Sequence, residues 1–135
     1  MAITPYLYYR DVDAALRFLS KSFGFRRCGV SLRDKQGRTT HAAMQLGRDL
    51  IMMGNPGPRY RNPKRLGQVT QSLYVIINGV DKHCKRARRV GAAIIEEPVD
   101  TEYGHRRYTA KDAEGHEWCF AEAIRSKRRS RNTRR

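Results

Sequence analysis

Near its C-terminal end the chain reads DAEGHEWCFAE, residues 112–122. Asp112, Glu114, His116, Glu117 and Cys119 are side chains that bind metals or move protons. The same letters also spell something plainer. Asp112 to Gly115 has the composition of a tight turn, with Asp bonding the backbone ahead and Gly tolerating positive φ. A short strand would follow it. Which reading holds depends on what the rest of the chain brings near.

Other reactive residues are scattered. Cys28, Cys84 and Cys119 are odd in number and form no C-x-x-C pair. That argues against a disulfide framework and against a structural zinc site, and favours buried free thiols. The stretch VDTEYGHRRYTA, residues 99–110, offers Tyr103, His105, Arg106, Arg107 and Tyr108. As a pocket border these would suit an anionic or aromatic ligand, because Arg presents a planar fork to carboxylate or phosphate. As a plain loop they would face solvent. In the linker, Arg59, Tyr60 and Arg61 could act as a lid on the same grounds.

A chain of 135 residues with 39% hydrophobic content can bury one core. No apolar run approaches the roughly 20 residues of a membrane span. The start, MAITPYLYYRDVD, lacks the basic-then-apolar pattern of a secretory signal, so a cytoplasmic location is expected. Net charge is +15, and seven of the 28 basic residues fall in RSKRRSRNTRR, residues 125–135. The remaining 21 against 13 acidic residues leave +8. This tail is expected to be disordered. It has the charge to hold nucleic acid or anionic lipid, but no helix-turn-helix, zinc-finger or RNP-type pattern supports nucleic acid as the main partner.

The elements repeat. Residues 7–13 read LYYRDVD and residues 75–81 read VIINGVD. Each is a β-prone run ending in Val-Asp ahead of a helical stretch. The first helix is expected over Val12 to Lys21, with Asp11 or Asp13 at its start and Gly24 past its end. The second is expected over Val80 to Val90, with Val80, Cys84, Ala87 and Val90 as a narrow inward stripe and Gly91 as its stop. Strands are expected at 25–32, 39–46 and 50–53, and again at 92–96, 106–110 and 116–122. Asp and Gly at residues 34–37, 47–49 and 112–115 mark the turns. Each half thus reads β-α-β-β-β. Residues 55–70, rich in Pro and Gly, connect module one (1–54) to module two (71–124).

The stretches ITPYLYYRDVDAALRFLSKSFGF, SLYVIINGVDKHCKRARRVGA and EEPVDTEYGHRRYTAKDAEGHEWCFAE together resemble the vicinal oxygen chelate superfamily, the glyoxalase, bleomycin-resistance and dioxygenase group. The resemblance implies an α+β fold of two βαβββ modules. Their sheets curl into a cup that is often completed in a homodimer, with a small ligand or a divalent metal inside. It also implies where metal ligands would stand. The first-strand position lies seven residues before Asp11, at Thr4, and its counterpart is Ser72. The last-strand positions fall on Met52 and Cys119, so the two pairs are offset by 68 and 67 residues. None of the four is His, Asp or Glu. Zinc, manganese or iron ask for oxygen or imidazole donors, which this set does not supply. No metal and no cofactor is therefore expected.

Strand alternation then lists what lines the cup. With Thr4 inward, Tyr6 and Tyr8 follow, while Leu7 and Tyr9 turn to the helices. Tyr74 follows Ser72, and Glu117 accompanies Cys119, leaving Trp118 and Phe120 for the core. On residues 41–47, His41 and Gln45 share a face with Ala43, and Met52 adds apolar surface. Tyr103 and Arg107 border the pocket. His41 and Glu117 are the proton-transfer candidates, although His41 also reads as a strand-end histidine near solvent. The tyrosines also read as edge packing with bonded hydroxyls. His116, just after a turn glycine, is expected to be exposed. This set favours a metal-independent protein that binds an aromatic or anionic organic molecule. The other reading is a glyoxalase-like lyase or isomerase with a non-standard site.

Overall fold

A computed structural model describes residues 1–124; the basic tail, residues 125–135, lies outside the described residues. Module one contains β1 (Tyr6–Tyr8), α1 (Val12–Phe18), β2 (Arg26–Arg33), β3 (Thr39–Leu46) and β4 (Asp49–Gly54). A short helix α2 (Pro63–Leu66) lies in the linker. Module two contains β5 (Ser72–Ile76), α3 (Val80–Val90), β6 (Ala93–Asp100), β7 (His105–Lys111) and β8 (Glu117–Ala123). The strands form two mixed four-stranded sheets, ordered β1-β4-β3-β2 and β5-β8-β7-β6. In each, the strand before the helix pairs in parallel with the last strand, and the other pairs are antiparallel. The repeat survives in the register: Tyr6 stands opposite Met52, and Tyr74 opposite Cys119.

Both sheets turn one face to a single core. Sheet one contributes Leu7, Tyr9, Ala42, Met44, Ile51 and Met53. Sheet two contributes Tyr108, Ala110, Trp118 and Phe120. Between them lie α1, α3 and Phe23, whose ring packs 4.7 Å from Phe120 and 5.7 Å from Trp118. Large side chains buried this completely contribute about 1.5–3 kcal/mol each. The opposite faces of both sheets stay outside this core, and they carry the polar and tyrosine positions.

The helices start on side chains that meet their unpaired N–H groups. Asp11 is the cap of α1, accepting from Ala14 N at 2.9 Å. Asp13 instead accepts from the Thr39 backbone and hydroxyl, which fastens α1 to β3. Module two lends carboxylates to both helix starts. Glu114 accepts from Arg10 N and Asp11 N, and Glu122 accepts from Gly79 N and Val80 N.

Several elements differ from the sequence expectation. The first helix runs on as a π-helical segment, Leu19–Phe23, and ends at Gly24 with φ 83°. That extra turn puts Phe23 into the core. β6 continues past Glu96 to Asp100, because Pro98 sits on an edge strand where a missing N–H costs no ladder bond. The connection to β7 shrinks to Thr101–Gly104, and β7 begins at His105, one residue before the strand expected from 106. Tyr108 is fully buried and cannot border a pocket. Val90 is 40% exposed, so the inward stripe of α3 ends at Ala87.

The turn at Asp112 is more than punctuation. Asp112 is buried and accepts from Tyr9 Oη at 2.6 Å, Trp118 Nε1 at 3.0 Å, His116 N at 3.0 Å and Glu114 N at 3.1 Å. One carboxylate thus joins module one, the turn and the core tryptophan. Gly115, at φ +91°, lies against the linker: a Cβ there would come within 2.6 Å of Lys64 N. His116 is not free in solvent as expected. Its Nε2–H donates to Tyr8 O at 2.7 Å, and its ring meets Tyr9 edge-on.

Candidate functional site

The outer face of sheet one presents Tyr6, Tyr8, His41, Gln45 and Met52. Pairing explains the grouping: His41 lies opposite Gly54, Ala43 opposite Met52 and Gln45 opposite Leu50, all on one side of the pleat. Tyr6 and Tyr8 are each 50% exposed and meet edge-on at 5.9 Å. Tyr6 Oη shares a 2.9 Å hydrogen bond with His41 Nδ1. The hydroxyl reaches across Gly54, where a Cβ would come within 2.4 Å of it. Gly54 is therefore what lets tyrosine and imidazole meet.

The outer face of sheet two presents Tyr74, Tyr103, His105, Arg107, Glu117 and Cys119. Tyr74 Oη lies 2.7 Å from His105 Nδ1 and 3.3 Å from Tyr103 Oη. Burial and the Tyr103 hydroxyl push the Tyr74 phenol up, and the Arg107 charge pulls against them. Arg107 Nη1 lies 3.1 Å from Glu96, 3.4 Å from Cys119 Sγ and 3.5 Å from Thr109 Oγ1. Its bond to the Cys119 sulfur is the main reason the guanidinium holds its proton more firmly than usual. Cys119 is buried beneath it.

The two faces repeat a theme with different residues. Tyr6–His41 and Tyr74–His105 each place their rings 5.7 Å apart at an angle of 32°. The slots differ, however. His41 faces Gly54, and the residue facing the matching Ala121 is Arg107. His105, offered by the sequence as part of the 99–110 pocket border, stands on β7 two residues before Arg107 and bonds Tyr74.

Among the described residues no hydrogen bond, ion pair or ring contact joins the two faces. A groove of about 480 Å³ is bordered by residues of both, Tyr6, Tyr8, Ser72 and Glu117, and by Tyr60 and Arg61 of the linker. Tyr60 closes one side, donating to Tyr8 O at 2.9 Å and meeting the Tyr8 ring edge-on. Its phenol is pushed up to about 12 by burial and by the charge of Glu114. A larger hollow of about 870 Å³ lies beside β5, between Thr4, Leu50, Tyr74, Ile76 and Trp118.

The metal positions implied by resemblance do not fit a hard divalent ion. Thr4 and Ser72 are neutral hydroxyls, Met52 is a thioether, and Cys119 is a thiol already bonded to a guanidinium. A cation placed at Cys119 would meet the Arg107 charge. Among the described residues no three His, Cys, Asp or Glu side chains gather as a metal cluster requires.

Two sheets of β-α-β-β-β connectivity, each with its polar face turned from a shared helical core, define a paired βαβββ protein. The comparisons agree. The profile described as Glyoxalase: Glyoxalase/Bleomycin resistance protein/Dioxygenase superfamily matches residues 3–120, and the chain belongs to that family. Among solved structures, TioX from Micromonospora sp. ML1 is 30% identical, with a TM-score of 0.71 over 93% of this chain and 98% of that one. A glyoxalase-related enzyme from Clostridium phytofermentans, at 16% identity, gives a TM-score of 0.70 over 92% of this chain and 95% of its own. The fosfomycin resistance protein FosX from Mesorhizobium loti, at 14%, gives 0.64 over 95% and 96%. The last two show the shared fold alone. A search of curated proteins gave no match. No helix among the described residues is long and apolar enough to cross a membrane.

Proposed function

We propose that this protein binds a small aromatic or anionic organic molecule without a metal, on the tyrosine-bearing faces of its two sheets. The observation that carries the reading is the donor set Thr4, Met52, Ser72 and Cys119, with Arg107 against the Cys119 sulfur. The surroundings suit an organic ligand: Tyr6, Tyr8 and Tyr74 are 46–50% exposed, and polar groups are few and placed.

The working unit is a homodimer. Tyr6, Tyr8, Leu32 and Leu50 on one face, and Tyr74, Ile76 and Tyr103 on the other, are all at least 40% exposed. Apolar surface of that extent needs a cover, and a second copy offers matching faces. The alternative, a glyoxalase-like lyase or isomerase with His41 or Glu117 as base, would also need an oxyanion stabiliser, for which only Tyr or Arg side chains stand near, and Tyr6 is already bonded to His41. Binding is thus the better-supported function.

Calorimetric titration of purified, chelator-treated protein against planar aromatic amides, alcohols and acids tests this. Saturable binding by the metal-free protein is expected, with tighter binding than the Tyr6→Ala or Tyr74→Ala variant shows. Binding that appears only after a divalent metal is restored would overturn the reading.

A further inference from the structure

Arg107 is incompletely partnered. All its protein contacts fall on Nη1: Glu96, Cys119 and Thr109. Nε is buried and has no partner, and Nη2 has none among the described residues. Nε is closed to solvent and so to a ligand; a carboxylate would meet the fork end-on, through Nη1 and Nη2, on the side that Glu96 now holds.

The neighbours fit such a ligand. His105 lies two residues back on the same face of β7, about 6–7 Å along the strand. Its Nδ1 is occupied by the Tyr74 hydroxyl, and its Nε2 has no protein partner among the described residues. When Tyr74 donates to Nδ1, Nε2 carries the proton and is a second donor on this face. Tyr74 and Tyr103, 46% and 62% exposed, supply ring surface beside it. The repeat shows that the charge is particular to this face: the matching slot of sheet one holds His41 instead.

We infer that Arg107, assisted by His105, anchors the carboxylate of an aromatic acid on the outer face of sheet two, with Glu96 as its stand-in when no ligand is bound. This rests on the small-molecule reading above and names its ligand class. Glu96 is suited to the part. Its side chain is 46% exposed on the edge strand β6, next to a break in the ladder, so it can turn to water when a ligand carboxylate arrives.

The test uses 2-naphthoate and 2-naphthamide, which share a ring system and differ in charge. Both are titrated calorimetrically into the full chain, into Arg107→Gln and into Glu96→Gln. Naphthoate should bind at least about tenfold tighter than naphthamide, the scale of charge-assisted hydrogen bonds. R107Q should erase that preference, weakening naphthoate far more than naphthamide. E96Q should tighten naphthoate binding several-fold and leave naphthamide unmoved, and this outcome does not depend on R107Q folding. Equal binding of the two probes with no response to E96Q overturns the anchor but spares the small-molecule reading. Binding of neither probe overturns both. A preference for naphthoate that survives in R107Q places the anion elsewhere and also overturns the anchor.

Discussion

Replacing Asp112 by Asn tests how the two modules are tied together. The side chain keeps its shape but trades one acceptor oxygen for an NH₂ group. Asp112 Oδ2 now takes Tyr9 Oη at 2.6 Å and Trp118 Nε1 at 3.0 Å, and Oδ1 takes two backbone N–H groups. In the variant the backbone N–H groups keep the amide oxygen. The Tyr9 hydroxyl can rotate and accept from the new NH₂. The Trp118 N–H can only donate, and it is left buried beside another donor. An orphaned buried donor costs about 1–3 kcal/mol, and the remaining bonds lose charge assistance. Against this, the carboxyl is pushed up mainly by its burial, so removing the charge recovers part of the loss. A net destabilisation of about 2 kcal/mol follows from these terms. With a urea slope of about 1–3 kcal/mol/M, the midpoint should drop by roughly 1 M. Trp118 is the only tryptophan and sits fully buried, so its fluorescence reports the transition. Tyr9→Phe completes a double-mutant cycle and should cost less in the D112N background than in the wild type. An unchanged midpoint, or equal costs of Y9F in both backgrounds, would refute the proposed tie.

Three other perturbations have definite outcomes. His83 donates from Nε2 to Phe23 O and meets the Tyr108 hydroxyl through Nδ1, and burial lowers its pKa from 6.5. The fold holds it neutral, so the unfolded chain takes up the extra proton. Stability is then full above about pH 6.5 and falls as pH drops below it, by at most about 1.4 kcal/mol per unit. Denaturation between pH 7 and 5 should show that slope, and His83→Gln should flatten it. Gly54→Ala should cost less than about 1 kcal/mol, because Tyr6 can swing away, yet it should break the Tyr6–His41 bond; the His41 imidazole shift by NMR checks this. Gly115→Ala meets the Lys64 backbone at 2.6 Å and a φ of +91°, and should cost about 2–4 kcal/mol by chemical denaturation.

Much of this was legible in the chain because the repeat is written twice. Val-Asp before each helix and Gly after it gave both modules, and period-two alternation assigned Tyr6 and Tyr8 outward and Trp118 inward. What escaped was tertiary. The π-helical extension to Phe23 has no local signature; it is held by packing against Trp118 and Phe120. His83, at i+3 from Val80, lies on the inward face of α3, where a polar residue gives no sign of burial in the sequence. It is half-buried because Phe23 O and Tyr108 satisfy it. With strands expected at 92–96 and 106–110, His105 falls just outside the expected strand; in the structure it begins β7 and shares a face with Arg107. The role of Asp112 needs Tyr9, 103 residues away, to be seen.

On the proposed reading, ligand binding by this protein needs no metal. The most direct measurement is the affinity for 2-naphthoate of one protein batch, before and after exhaustive chelation, with metal content read by mass spectrometry on each sample. Sub-stoichiometric metal throughout and an affinity unchanged within error are expected. One zinc, nickel, manganese or iron per chain, whose removal abolishes binding and whose return restores it, would refute metal-free binding.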